Sequence, residues 1–464
     1  MFEEELENLH FSGAPIIKTS LPGPKSMGII ARQSKLETKG IVYPKSFPVA
    51  WEAAKGATLR DVDDNVFIDF YAGVGVMNVG HSNPFVLGAI EAQARKIVHT
   101  LDFPSEVKTH FAEKLLGIAP GKLKDDGTIF FGGPTGSDAI EAAIKLAKLN
   151  TKRQGFIAFE GAYHGMTTGA LAVTSNRRYK ENYLPLMPEV YRAPYAYCYR
   201  CAFGRSYPEC GVECARFIEH MLTDPDSGAS SPAAVLIEAI QGEGGVIVPP
   251  DRYMTEIRRI CDANNVILIV DEIQTGFGRT GKMFACEHSN ITPDIMTIAK
   301  GMGGAGLPAS GVIFRRSLDV WEPGRSHFGT FRGNALSSAA GLAAITYIQE
   351  KKLVEHSEAL GAYALKRFSE IAETSTSIGE VRGRGLFIGV EIVEDKKSKK
   401  PGIELSEEIR RRCFERGVIF WSAGHFSNVV RFIPPLVVTK QLVDRGLDIF
   451  SEVLHEVEHD FLES

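Results

Sequence analysis

The stretch DIMTIAKGMGGAG, residues 294–306, ends an apolar run on one lysine, Lys300, directly before glycines that cannot sustain a helix. Lysine is seldom taken out of water unless it is paired or used, because its charge is costly to desolvate. Two earlier apolar runs close on acids: PAAVLIEAI carries Glu238, and NVILIVDEI carries Asp271 and Glu272. An amine that can condense with a carbonyl, beside a carboxylate that can keep a proton on a heterocyclic nitrogen, is equipment for Schiff-base chemistry. Such chemistry also needs an anchor for the carbonyl compound. In FFGGPTGSDAIEAAIKLAK a turn of Gly132, Gly133, Pro134, Thr135 and Gly136 leads into a helix whose apolar Ile140, Ala143, Ile144 and Ala147 recur at helical spacing. The first amides of a helix are unpaired and its dipole adds positive charge, so the N–H groups of Gly136, Ser137 and Asp138 can hold a phosphate. A serine-capped helix that holds nothing is the bland alternative. On the solvated face of that helix Glu141 and Lys145 are expected to pair, four residues apart.

A lysine for a Schiff base, a strand-end aspartate and a phosphate cradle are together what pyridoxal 5'-phosphate requires. In this reading Lys300 carries the cofactor and then moves a proton at the substrate carbon, while Asp271 keeps the pyridine nitrogen protonated. A competing motif, GFGRTG at residues 276–281, matches the dinucleotide pattern G-x-G-x-x-G and follows a strand. It is followed by KMFACEHSNITPD, which does not open as a helix, and Asp271 and Glu272 just upstream would repel a pyrophosphate. A nicotinamide dehydrogenase is set aside on both grounds.

The elements that must position these groups alternate. PAAVLIEAI reads as a strand, MTEIRRICDANN as a helix, NVILIVDEI as a strand, then come the run before Lys300 and SGVIFRR. That rhythm predicts a largely parallel sheet covered by helices, with ligands at the carboxyl ends of its strands. A chain of 464 residues is long enough for two domains. The net charge of -5 gives no basic stripe for nucleic acid. No apolar run reaches the length of a membrane span, and MFEEELENLHFSG lacks the basic start and apolar core of a signal peptide, so a cytoplasmic protein is expected. Seven cysteines do not make a disulfide scaffold in so long a chain. Four of them, Cys198, Cys201, Cys210 and Cys214, fall in CYRCAFGRSYPECGVEC. A structural zinc, a redox pair and packing thiols are all open there; the eight-residue gap and the wider final pair favour packing thiols, and no metal is expected.

Three longer stretches, LIVDEIQTGFGRTGKMFACEH, PDIMTIAKGMGGAGLPASGVI and GTFRGNALSSAAGLAAI, resemble the class III, ornithine-type, pyridoxal-phosphate aminotransferases, and the resemblance runs from about Ala50 to about Val457. It implies the α/β fold of aspartate aminotransferase, fold type I. A mostly parallel seven-stranded sheet would then lie in a large cofactor domain over residues 77–337. A small α+β domain would draw on both termini, residues 1–76 and 338–464, with AGLAAITYIQEKKL as a long connecting helix and SIGEVRGRGLFIGVEIV as turn, strand, turn, strand.

The same resemblance assigns residues. Lys300 matches the Schiff-base lysine, Asp271 the pyridine partner, Gln274 the residue that bonds the ring hydroxyl, and Gly136 with Ser137 the phosphate turn. Tyr163 in GAYHGMT matches the aromatic that stacks on the ring, with His164 beside it at the cofactor. Thr330 in HFGTFRGN matches a threonine that reaches the neighbouring subunit's phosphate, which implies a homodimer or a dimer of dimers. Arg431 in RFIPPLVVT matches the arginine that binds a substrate carboxylate, most clearly that of 2-oxoglutarate. Glu243 in QGEGG matches the glutamate that pairs with it and can uncover it, and Glu238 the other pocket acid, counted with the catalytic groups. Tyr71, Val74 and Val76 are expected as walls that set donor size.

One departure bears on the donor. Many 4-aminobutyrate and ornithine enzymes of the family carry arginine where this chain has Met166 in YHGMT, so that clamp on a donor carboxylate is missing. Arg332 in FRGN is placed either to supply the lost charge or to lie at the surface. YHGMTTGALAVT and GTFRGN look like the diaminobutyrate 2-oxoglutarate transaminases, which transfer a terminal amine. LPGPKS and RFIPPLVVTKQLVDRGLDIF look like the branch that includes amino-acid racemases and epimerases. The expected activity is therefore transfer of an amino group, the terminal amine of a diamino or omega-amino acid such as 2,4-diaminobutyrate, to 2-oxoglutarate or pyruvate, with racemisation or epimerisation of an amino acid as the alternative.

Overall fold

The structure is a computed structural model and describes residues 2–463. Near the N-terminus β1 (Trp51–Lys55), β2 (Thr58–Asp61) and β3 (Val66–Asp69) form an antiparallel meander. The central sheet takes β4 (Gly127–Phe131), β5 (Gly155–Phe159), β6 (Val190–Ala193), β7 (Pro232–Glu238), β8 (Ile267–Asp271), β9 (Ile295–Ile298) and β10 (Gly311–Arg315). Their order is β4-β10-β9-β8-β7-β5-β6, and β10 alone runs against its neighbours. The seven-stranded, mostly parallel sheet is the one expected. Further on come β11 (Ile378–Arg384), β12 (Phe387–Asp395), β13 (Lys400–Pro401), β14 (Val418–Ile419), β15 (Trp421–Ala423) and β16 (Val429–Phe432). A C-terminal sheet has the order β11-β12-β16-β15, with β13 pairing the C-terminal end of β12 at Val393 and Asp395. β14 instead leaves for the N-terminal meander, where Val418 and Ile419 pair in parallel with Ile68 and Asp69.

Parallel strands buried on both faces read as continuous apolar runs, because alternate side chains enter two different cores. Every residue of β7 and β8 is buried. Ala234, Leu236, Ile267 and Ile269 pack on one side, against the helix Gly136–Thr151, through its Ile140, Ala143, Ile144 and Ala147. Val235, Ile237, Leu268 and Val270 pack on the other, in the larger core.

Two local expectations are revised. Glu141 does not pair with Lys145: it accepts from the Thr167 hydroxyl at 2.5 Å and from the Gly169 and Ala170 amides at 2.8 and 3.1 Å, while Lys145 donates to the Ser326 carbonyl at 2.7 Å. Otherwise unpaired amides at the start of the helix Thr168–Val173 are better partners for a carboxylate than a solvated ammonium. The connecting helix is also not continuous through AGLAAITYIQEKKL. It spans Ala335–Glu350, Lys352 takes a left-handed φ of 51°, and a second helix runs Leu353–Thr374. Among the described residues no helix is long and apolar enough to cross a membrane.

Candidate active site

A cavity of about 360 Å³ opens at the carboxyl ends of β7, β8 and β9. In-register pairing sets Glu238 beside Asp271 and Asp271 beside Thr297, so three neighbouring strands present their polar groups in one row. The next residue, Glu272, is turned away by the strand's alternation: it is fully buried, bonded to the Thr275 hydroxyl and to the Ala285 and Cys286 amides, and anchors the following loop. Asp271 accepts from the Ile273 amide at 3.0 Å and the Thr297 hydroxyl at 3.2 Å, and its other oxygen lies 2.7 Å from His164 Nδ1. His164 Nε2 is buried and has no partner among the described residues. Glu238 accepts from the Tyr163 and Gly242 amides, each at 3.0 Å. Burial pushes Glu238 up to about 7, helped by Asp271 and opposed by His164 and those amides.

Lys300 follows β9 on the same cavity, with a left-handed φ of 48°. For a side chain with a Cβ that conformation costs about 1–2 kcal/mol, and it turns the amine off the strand line onto the cavity. Burial, opposed by Glu243, Asp271 and Glu238 and helped by Arg431, lowers the Lys300 ammonium to about 8. A folded pKa below the ordinary 10.5 means that between those two values the unfolded chain binds more protons, so this group's contribution to stability rises with pH across that window. In the cofactor-free protein, capture of a small aldehyde by Lys300, trapped by cyanoborohydride and read by peptide mass, should rise with a midpoint near pH 8. A midpoint at the ordinary lysine value would show that burial does not act on the amine.

The helix Gly136–Thr151 points its N-terminus at the same cavity, which Thr135, Gly136 and Ser137 line. Thr135 stands at the N-cap with no side-chain cap bond, and the Ser137 hydroxyl accepts from the Met166 amide at 3.2 Å, so the serine-capped alternative does not hold. The Asp138 amide turns to the Thr135 carbonyl at 3.1 Å and its carboxylate bonds the Gly133 amide and His327, so Gly136 and Ser137 remain as the amide donors. Gly165 has φ 127°, and a Cβ there would stand 2.1 Å from the Ser137 hydroxyl; only glycine lets the Tyr163 turn close on this helix start.

Opposite Lys300, Glu243 and Gln274 line the cavity, and both bond Arg431 Nη1, at 2.6 and 3.4 Å. Arg431 on β16 is fully buried behind them, and its Nε and Nη2 have no partner among the described residues. Burial opposes the ionised form of Glu243, but Arg431 and Lys300 outweigh it and hold the carboxyl below its ordinary value. Gly242 makes room for this group, since a Cβ there would lie 1.6 Å from Gln274 Oε1.

Lys300, Asp271, Glu238, Glu243, Tyr163 and His164 thus share one cavity, joined by Gly136, Ser137, Gln274 and Val76. Tyr71 and Val74 line an adjacent cavity instead, where Tyr71 packs on Trp421 with ring centres 5.1 Å apart. Met166 is exposed and brings only its amide to Ser137. Thr330 is exposed and lies outside the cavity lining. Arg332 does not lie at the surface: it is buried, with its guanidinium 4.4 Å from the Phe130 ring centre, and it does not line the cavity. Sequence reasoning missed Thr297, which strand alternation opposite Asp271 could have found, and Arg279 of GFGRTG. Arg279 is fully buried and bonds the carbonyls of Leu386 and Pro434 and the Asn78 side chain, so that glycine motif is a clamp between distant segments. The four clustered cysteines are free thiols around a cavity of about 20 Å³, and burial pushes Cys198 to about 11 and Cys214 to about 12. Among the described residues no group of three or more histidine, cysteine or acidic side chains is placed to hold a metal.

Residues 42–454 match the family model described as Aminotransferase class-III. The chain is a class III aminotransferase. It is 39% identical to the diaminobutyrate–2-oxoglutarate aminotransferase of Rhizobium meliloti (strain 1021), with 94% of each chain covered. It is 37% identical to the leucine/methionine racemase of Thermococcus litoralis, covering 92% of this chain and 96% of that one. Among solved structures it resembles the ornithine aminotransferase of Toxoplasma gondii with a TM-score of 0.80 and 28% identity, over 94% of this chain and 95% of that one. The aminotransferase is a fold type I enzyme that depends on pyridoxal phosphate and works on an amino donor and a keto-acid acceptor. Its cavity fits that cofactor: a half-buried lysine whose ammonium is shifted down, a buried carboxylate and an uncapped helix start face one space.

Proposed function

We propose that this aminotransferase takes the terminal amine of a short diamino acid, 2,4-diaminobutyrate or a close homologue, and delivers it to 2-oxoglutarate. The observation that carries the reading is the covered arginine. Arg431 is fully buried, and Glu243 stands between it and the cavity that holds Lys300. Two substrates must use this cavity in turn, and only the acceptor brings a second carboxylate that can take the place of Glu243. Two unpartnered guanidinium nitrogens favour that exchange, because buried donors without acceptors are costly. The exposed Met166 leaves no second arginine at the position where a donor carboxylate would be clamped, which weighs against 4-aminobutyrate and ornithine. The relatives named for diaminobutyrate point the same way.

When bound, pyridoxal phosphate supplies an aldehyde that condenses with amines and a ring that withdraws electrons. In the proposed arrangement Lys300 holds the cofactor and, once freed, carries the proton at the substrate carbon. Asp271, oriented by His164 and Thr297, keeps the ring nitrogen protonated. The Gly136 and Ser137 amides hold the phosphate, Gln274 the ring hydroxyl, and Tyr163 packs on the ring. Glu238, pushed up to about 7 by burial, adds a pocket acid that can hold or release its proton near neutral pH. Val76 limits donor size, and the exposed Thr330 completes the phosphate site of a second copy in a homodimer.

The test is glutamate formation by the holoenzyme from 2-oxoglutarate with 2,4-diaminobutyrate, ornithine or 4-aminobutyrate. Diaminobutyrate should lead in kcat/KM by about tenfold or more, the scale that one or two methylenes command in a fitted pocket. The racemases among the relatives support a second reading. Loss of optical purity in leucine or alanine without any keto acid, and no glutamate from diaminobutyrate, would replace the first reading by the second.

A further inference from the structure

Glu243 sits at the tip of a tight loop. Gln241 and Ile247 exchange backbone hydrogen bonds at its base, at 3.1 and 2.9 Å, and the Gly245 and Val246 amides both return to the Gly242 carbonyl at 3.1 Å. The loop follows the central sheet, yet the C-terminal sheet holds it. Arg382 of β11 donates to the Gly245 carbonyl from Nη2 at 2.6 Å and from Nε at 3.0 Å, and to the Val246 carbonyl from Nε at 3.2 Å. The Gly424 amide, between β15 and β16, donates to the Glu243 carbonyl at 2.9 Å. Arg431 lies on β16 of that same sheet. One sheet therefore carries the arginine and grips the backbone of the glutamate that covers it.

The grip has its own support. Arg382 Nη1 donates to Glu391 and Glu380, each at 2.6 Å, and Glu391 is fully buried. Glu391 also accepts from Arg200 Nε at 2.5 Å and from the Tyr197 hydroxyl. Arg200 belongs to the cysteine-bearing segment and Tyr197 directly precedes it. A buried ion network is a poor source of stability, but it fixes geometry well, because each member loses much if it moves away from its partners.

We propose that Arg382 is a positioning residue for Glu243: braced by Glu391, Tyr197 and Arg200, it pins the 241–247 loop to the sheet that carries Arg431, so that Arg431 is uncovered by rotation of the Glu243 side chain and not by movement of the loop. The inference rests on the exchange at Arg431 proposed above. Pinning keeps Glu243 as a strong competitor for the guanidinium, so the bound dicarboxylate must displace a glutamate already in place. With the pin removed, the competitor is weaker and the dicarboxylate binds more tightly.

Glutarate, an unreactive dicarboxylate, tests this by calorimetry on the holoenzyme and on the cofactor-free protein, so that turnover is not the readout. Arg382→Met should tighten glutarate binding by about three- to tenfold, within the range of coupling between residues of one network. Arg382→Lys, which keeps the charge beside Glu391 and reaches one carbonyl, should fall between. Glu243→Ala should tighten glutarate on its own, and Arg382→Met added to it should change nothing further. Equal glutarate affinity in Arg382→Met and the parent, or the same change with and without Glu243, overturns the positioning role. No effect of Glu243→Ala itself overturns the exchange reading instead. If Arg382→Met does not fold, Arg382→Lys and Tyr197→Phe carry the same comparison, and both matching the parent would overturn the role.

Discussion

Lys300→Ala is expected to lower kcat by on the order of 10⁴-fold or more, the upper end of what one proton-transferring group contributes, since this amine is also the covalent anchor. The loss should be chemical. Among the described residues Lys300 makes no hydrogen bond or ion pair, and removing an ammonium that burial disfavours relieves a desolvation cost, so the melting temperature of the cofactor-free protein should hold or rise. Lys300→Arg separates charge from reactivity: it keeps a cation beside Glu243 and Asp271 but cannot condense, and it should be as inactive as the alanine variant. Borohydride reduction of native holoenzyme, followed by peptide mass, should place the cofactor on the peptide containing residue 300. A Lys300→Ala enzyme that retains a tenth of parent activity, or label on another lysine, removes this residue from the chemistry.

Asp271→Asn should cost about 10²–10³-fold in kcat, the scale for losing one preorganised electrostatic partner of the reacting system. Asparagine has the same shape and can still meet Thr297 and the Ile273 amide, so the fold should survive with little change in melting temperature. What goes is the negative charge between His164 and the cavity. Because that charge is proposed to act on the cofactor ring and not on substrate, kcat should fall in both half-reactions by similar factors while KM moves little. Asp271→Glu restores charge with an extra methylene in a fully packed position and should recover only part of the rate. A variant within threefold of the parent would mean that the ring nitrogen is held in some other way.

Why these residues could be found in the sequence is itself structural. β7 and β8 are covered on both faces, so each is written as an apolar run that closes on an acid at the strand end where the cavity lies, and β9, broken only by Thr297, is followed two residues on by Lys300. The glycine turn before Gly136 was legible for a similar reason, since its helix declares itself by apolar spacing. Partners chosen across the fold were not legible. Glu141 and Lys145 have the spacing of a helix pair, but tertiary neighbours offer each a better bond. Arg332 stands in a polar loop and is buried under Phe130, and Arg382 occupies a strand position with no periodic signal that would direct it to the Gly245 carbonyl. Lys352 breaks an otherwise helical stretch by one backbone torsion, in a segment whose residue types all favour continuing.

Arg279 ties the loop after β8 to Pro434, and β14 crosses back to pair with residues laid down some 350 positions earlier. A polypeptide leaves the ribosome at roughly 5–20 residues per second, so for many seconds of synthesis the first two thirds of this chain exist with Arg279 lacking its carbonyl acceptors and β3 lacking its edge partner. Nascent chains of that length should be a target for chaperones, and the pocket can take up its coenzyme in final form only after the segment carrying Val418, Arg431 and Pro434 has been made.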